Sequence, residues 1–272
     1  MYSTLAPERH RALGSGPRTR PFYDLLSRLP DDLPGRPARI VDLGCGTGEL
    51  TSVLAERWPD ARITGLDISG TSLAESGSWA GPTPGGGHLA FGAADIAEWE
   101  PKCPLDMVFS NAAIQWVPRH QDLFATWTRT LAPGGIFAFQ VPDNAAARSH
   151  VVLREVCASP RWRERLGPDA VQVPDTPSPA VYLDRLAGLG FTVDTWETTY
   201  SHILPAEDPF GSWVRGTGMR PLLAALADEP GAGEAFLADY RARLGAAYPA
   251  APHGTVFTFR RVFVVARRGG AV

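Results

Sequence analysis

Residues 40–51 read IVDLGCGTGELT, an apolar run that ends on Asp42 and is followed by Gly44, Gly46 and Gly48 at alternate positions. Glycines so spaced let a backbone turn tightly and approach a ligand with no Cβ in the way. The dinucleotide pattern GxGxxG would need a glycine at position 49, which is Glu49, and no GxxxxGK(S/T) segment occurs. A second apolar run, ITGLDIS, brings Asp67 and Ile68 to its end, 25 residues after Asp42 in the case of the acid. A carboxylate at that point of a doubly wound sheet can accept hydrogen bonds from both hydroxyls of a ribose. The third run leads into AADIAEW, with Asp95 available to an adenine amino group and Ile96 to the ring face. The fourth leads into FSNAAIQW, which puts Asn111 and Ala112 beneath the same ligand. Any one of these residues alone is a common cap or turn residue. A triple-glycine turn followed by acids at successive strand ends describes a site for an adenosine-containing molecule.

These side chains must be held by strands that end at one edge. Residues 39–43, 61–66, 88–91, 105–110 and 136–141 are short apolar runs separated by helical segments such as 51–58 and 122–131. That alternation predicts an α/β fold with a doubly wound, mostly parallel sheet, whose ligands lie at the carboxyl ends of its strands. A leading helix is expected at 20–29, broken by 30–37, and the glycine-rich stretch 81–87 reads as a flexible surface connection. Beyond the core, 179–189 is a helix capped by Ser178 and stopped by Gly190, 191–200 alternates like a strand, and 255–266 is the last strand. The expected organisation is an N-terminal segment and helix at 1–37, a core at 38–201 and 255–272, and a helical lid inserted at 202–254 with helical patterns near 210–214 and 235–247.

Composition narrows the classes of function. With 44% hydrophobic and 20% charged residues over 272 positions, the chain is that of a globular protein, and a net charge of −3 gives no general attraction to nucleic acid or anionic membrane. All but one of the 26 basic residues are arginines, Lys102 being the exception. Cys45, Cys103 and Cys157 are scattered, which suggests neither disulfides nor a metal site and fits a reducing cytoplasm. The N-terminus lacks the apolar core of a signal peptide, and no run approaches about 18 apolar residues. His120 and His150 read as solvated or capping residues, and Trp58, Trp99 and Trp127 as packing.

The sequence resembles the class I S-adenosylmethionine-dependent methyltransferases and, within them, is similar to the trans-aconitate methyltransferase family. The segments that carry this are VDLGCGTGELT, RWPDARITGLDIS, DMVFSNAAIQWVPRHQDLF, LAPGGIFAFQVPDN, VDTWETTYSH, WVRGTGMRP and FRRVFVVARR. The resemblance implies a seven-stranded sheet with an antiparallel last strand, S-adenosyl-L-methionine as cofactor, and methylation of a carboxylate of a small polycarboxylic acid, trans-aconitate first. It also implies that Arg261 takes the place of the family's arginine. The family usually begins with a Trp-x-Pro-x-x-Tyr segment, from which residues 5–16, LAPERHRALGSG, depart.

On this reading the cofactor residues are Arg18 (preferred over Arg20, for a methionine carboxylate), Asp42, Gly44, Gly46, Gly48, Asp67, Ile68, Asp95, Ile96 and Asn111. A polycarboxylate substrate also needs cations on its non-reacting ends. Arg260 and Arg261 point to opposite faces of a strand, so at most one of them faces the site, and the resemblance makes Arg261 the choice. Arg220, Tyr200 and His202 join it, with Gln115 and Trp116 walling the transfer channel. A carboxylate is already ionised at neutral pH, so no general base is required. Two alternatives stay open: an O-methyltransferase acting on another biosynthetic carboxylic acid or a phenol, and a noncatalytic cofactor-binding protein.

Overall fold

The computed structural model describes residues 19–166, 170–171, 174, 176–204, 209–210 and 219–270. Arg18, the side chain of Arg220 and most of the helical pattern expected at 210–214 fall outside that set.

Helix α1 (Arg20–Leu26) precedes strand β1 (Arg39–Leu43), and then α2 (Glu49–Arg57), β2 (Arg62–Asp67) and α3 (Gly70–Ser76) follow. Next come β3 (Gly81–Pro82), β4 (His88–Ala93), β5 (Leu105–Asn111), α4 (Phe124–Thr128) and β6 (Leu131–Pro142). Helices α5 (Arg148–Cys157), α6 (Arg163–Leu166) and α7 (Pro179–Ala187) lead to β7 (Phe191–Leu204), and α8 (Arg220–Ala225) and α9 (Ala232–Ala247) separate it from β8 (Thr255–Arg268). The strands form one sheet in the order β3-β4-β2-β1-β5-β6-β8-β7. Strands β4, β2, β1, β5 and β6 are parallel neighbours, and β8 runs antiparallel to β6.

The sheet has eight strands where the family resemblance implied seven. The extra one is β3, which pairs antiparallel with β4 through Gly81 and Pro82. The stretch read as a flexible connection is instead a turn fastened to the core: Gly86 N donates to Thr83 O, and Gly87 N donates to Pro59 O. A Cβ at Gly87 would stand 2.2 Å from the Ala61 carbonyl oxygen, so glycine is what allows that close approach. Two further boundaries differ from the sequence reading. Leu131 begins β6 instead of ending a helix, and α7, which starts after Ser178 as read and has Pro179 in its first turn, ends at Ala187 with Gly188 as its C-cap and does not run on to Gly190.

The described chain forms two compact units. Unit 1 comprises Met1–Pro142, Thr176–Thr198 and Arg261–Val272. Its core lies on the sheet, where Phe124, Trp127, Phe137, Phe139 and Tyr182 are fully enclosed and meet ring to ring. Unit 2 comprises Asp143–Asp175 and Thr199–Arg260, and its own core joins Val152, Val156 and Trp162 to Phe236, Tyr240 and Leu244. The register in unit 1 sets what the site can contain. Asp42 lies opposite Gly65 and Phe109, Asn111 opposite Gln140, and Pro142 opposite Arg261. Because β8 is antiparallel, Arg261 stands at the edge where the parallel strands end.

Candidate active site

The three glycines after β1 all adopt positive φ, at +80° for Gly44, +56° for Gly46 and +76° for Gly48. Their surroundings separate their roles. A Cβ on Gly44 would fall 2.0 Å from that of Ala113, and one on Gly48 would fall 2.6 Å from the Phe91 ring, so these two permit packing of the protein on itself. A Cβ on Gly46 would meet nothing within 4 Å. The turn therefore presents bare backbone to open space at Gly46.

Asp42 ends the apolar strand below this turn and is 3% exposed. Thr51 Oγ1 donates to its Oδ2 at 2.6 Å, while Oδ1 has no hydrogen-bond partner. Burial pushes the carboxyl up to about 7, with the Thr51 bond pulling the other way and the charge of Asp67 adding to the rise. An acid so placed is complete only with a donor or a positive charge opposite Oδ1. Cys45, between the glycines, is no nucleophile: burial and the same two acids push its thiol up to about 12.

Asp67 ties β2 to the glycine turn. Its Oδ2 accepts from Gly46 N and its Oδ1 from Ser69 N, both at 2.8 Å, and Ser69 in turn caps α3 through its hydroxyl. Each carboxylate oxygen retains a lone pair for a ligand. Ile68 beside it is 72% exposed, an apolar side chain with no protein cover. Asp95 lies exposed after β4, where its Oδ1 accepts from Ala97 N. Ile96 packs its side chain on the core, and its carbonyl accepts from the Trp127 indole at 3.0 Å.

The segment after β5 is bent at Ala112, a non-glycine residue at φ +56°. Ala112 N donates to Gln140 O at 3.0 Å, and Gln115 Nε2 donates to Ala112 O at 2.7 Å, so the turn is held from both sides. Gln115 is buried and its Oε1 has no hydrogen-bond partner. Trp116 is 53% exposed, which removes core packing as its role. Asn111 Oδ1 accepts from Gln140 Nε2 at 2.7 Å, and Gln140 Oε1 accepts from Arg261 Nη1 at 3.4 Å. Arg260, its neighbour, is ion-paired with Asp143, so the two arginines take different partners as strand alternation requires.

Sequence reasoning missed Gln140 and Thr51, the first although a lone amide in an apolar strand is a visible signal. Tyr200 and His202 belong to unit 2, where their rings lie nearly parallel at 6.5 Å. His120 is not solvated: it is 1% exposed and its Nε2 shares a 2.7 Å hydrogen bond with the Tyr182 hydroxyl. Burial also pulls His150 down to about 4, with Arg154 adding to the effect. Trp58 and Trp127 are buried and Trp99 packs on the unit 1 core. Among the described residues, no group of three His, Cys, Asp or Glu side chains could hold a metal ion.

Residues 40–135 match a family model described as a methyltransferase domain. The fold is shared with the YcgJ protein of Bacillus subtilis, at a TM-score of 0.55 and 13% identity over 96% of this chain and 100% of that one. It is shared too with an S-adenosylmethionine-dependent methyltransferase of Mesorhizobium loti, at a TM-score of 0.50 and 20% identity over 93% and 99% of the two chains. Fold and family match together define a class I methyltransferase that uses S-adenosylmethionine. The open backbone at Gly46, the unpartnered Asp42 Oδ1 and the uncovered Ile68 and Trp116 fit that cofactor.

Over 259 residues the chain is 54% identical to the trans-aconitate 2-methyltransferase of Streptomyces coelicolor, covering 93% of this chain and 84% of the relative. Over 251 residues it is 53% identical to that of Streptomyces avermitilis, covering 92% of each. The chain belongs to the trans-aconitate 2-methyltransferase family.

Proposed function

We propose that this enzyme esterifies a carboxylate of trans-aconitate. The observation that carries the substrate is the similarity, along nearly the whole chain, to relatives named for that acid. When bound, S-adenosylmethionine would supply an electrophilic sulfonium methyl, so that a carboxylate oxygen of the acid would form the new bond to carbon and the carbon–sulfur pair would leave with sulfur. The protein has no proton to remove, because the acid is ionised above about pH 5. Its task is alignment, which can contribute roughly 7–11 kcal/mol to lowering the barrier.

In this reading Asp67 accepts from the ribose hydroxyls, Asp95 and Ile96 meet the adenine, and Gly44, Gly46, Gly48, Asp42 and Asn111 surround the methionine end. Arg261 grips a carboxylate that does not react, since a guanidinium on the attacking oxygens would blunt their nucleophilicity. Gln115 and Trp116 wall the reacting groups and limit water, which favours a step in which opposite charges disappear. The reading sets the reaction in the cytoplasm, in keeping with three unpaired cysteines. No helix among the described residues is long and apolar enough to cross a membrane.

Methyl-labelled cofactor and a panel of mono-, di- and tricarboxylic acids and phenols test the proposal. Trans-aconitate should be the best substrate, with one methyl ester formed per S-adenosylhomocysteine. A phenol or a monocarboxylic acid preferred over it would overturn the assignment.

A further inference from the structure

Gln140 sits on β6 between Phe139 and Val141, both fully buried, and is itself 1% exposed. An amide in such a run must find hydrogen-bond partners within the protein. The partners it has are Arg261 on β8 and Asn111 at the end of β5, and its backbone carbonyl also holds Ala112 at the bend. The row has a direction. A guanidinium only donates, so Gln140 must turn its Oε1 to Arg261, which leaves its Nε2 for Asn111. Asn111 must then turn its Oδ1 to Gln140, which points its own donor group elsewhere.

We infer that Gln140 is a positioning residue for methyl transfer, setting the aim of the Arg261 guanidinium and the orientation of the Asn111 amide together. The inference rests on the reading in which Arg261 grips a distal carboxylate of the acid. Gln140 touches no reactant. At 3.4 Å the Arg261 contact is long for a hydrogen bond, so it steers the guanidinium without clamping it. Asn111, fixed at 2.7 Å, is held more tightly. One side chain thereby couples the residue proposed for the methyl donor to the residue proposed for the acceptor.

The test compares Gln140→Met, Gln140→Glu, Arg261→Ala and the double variant Gln140→Met/Arg261→Ala. Specificity constants are measured with labelled methyl donor on trans-aconitate and on an unsaturated monocarboxylate, and S-adenosylhomocysteine binding verifies that each variant is folded. Methionine conserves the volume and removes both hydrogen bonds. It should lower kcat/KM for trans-aconitate by about 10–100-fold, the scale of losing one or two hydrogen bonds to charged or buried groups, and affect the monocarboxylate far less. Glutamate draws the guanidinium back onto itself, so it should give the same selective loss even if the methionine variant does not fold. In the Arg261→Ala background the methionine change should add less than about threefold, because the two act through one contact. Equal losses on both acids, or additive losses in the double variant, overturn the role of Gln140. If Arg261→Ala itself lacks selectivity, the reading beneath the inference falls, and the inference falls with it.

Discussion

A carboxyl enclosed as Asp42 is, with Thr51 on one oxygen and no partner on the other, is stable only when protonated or faced by a positive charge. Burial is what holds its value near 7. Between about pH 4 and 7 the native carboxyl keeps a proton that the unfolded one has lost, so stability falls as pH rises through that window, by about 1.4 kcal/mol per unit. S-adenosylmethionine carries a net positive charge and favours the ionised form. Binding at pH 6.5 should therefore release part of a proton, and affinity should weaken as pH drops below 7 while the chemical step stays nearly flat. Calorimetric titrations in two buffers of different ionisation enthalpy measure the release, and Asp42→Asn should abolish it; an undiminished release in the variant would assign the proton to another group. The acid and the glycines around it were legible because residues 40–51 concentrate them. The row that joins Gln140 to its partners was not, since Asn111 and Arg261 lie 29 and 121 residues away and only the register of β5, β6 and β8 unites the three.

At the level of elements, unit 1 depends on side chains that join one segment to another. The short helical turn His120–Leu123 is fixed to α7 by the hydrogen bond between His120 and Tyr182, both enclosed among Phe124 and Phe139. Burial pulls the His120 imidazole down to about 4, against a smaller opposite effect of the Val117 backbone. The native ring thus stays neutral where the unfolded one charges. Its stabilising effect is complete above about pH 6.5 and is lost as pH falls from there toward 4. His120→Gln keeps a hydrogen-bonding group that does not titrate, so the stability lost between pH 7.5 and pH 5 should shrink by about 2 kcal/mol in urea unfolding. An unchanged pH dependence would shift the acid sensitivity to His150 or the carboxylates. Strand β1 is legible to the residue, because Ile40, Val41 and Leu43 lie in a short segment closed by Pro37 on one side and Gly44 on the other. The turn at 81–87 was misread, because its composition reports flexibility while its fastening to Pro59 is a long-range contact.

On the scale of the whole chain, the residues proposed for S-adenosylmethionine that fall within the described set all belong to unit 1, whereas the second apolar core belongs wholly to unit 2. Within unit 2, helix α9 and the segment from α5 to α6 share that core: Phe236 meets the edge of Trp162 at 5.4 Å, and Tyr240 donates to Ser149 O at 3.1 Å. The Trp162 indole donates to Asp239 at 2.8 Å, and Arg161 covers the ring. Such a core should stand or fall with its aromatic residues. Phe236→Ala should destabilise unit 2 by about 3–5 kcal/mol, the usual loss for emptying a buried phenylalanine site. Amide exchange should then quicken in α5 and α9, while S-adenosylhomocysteine affinity stays within about twofold, as expected if the two cores open independently. Hydrogen-exchange mass spectrometry with and without S-adenosylhomocysteine makes the comparison in the full chain. In the wild type the ligand should slow exchange around Asp42–Gly48 and Asp67–Gly70 and leave α9 unaffected. Loss of ligand binding in the folded variant would show that the two cores form one cooperative structure and that the methyl donor's site depends on both.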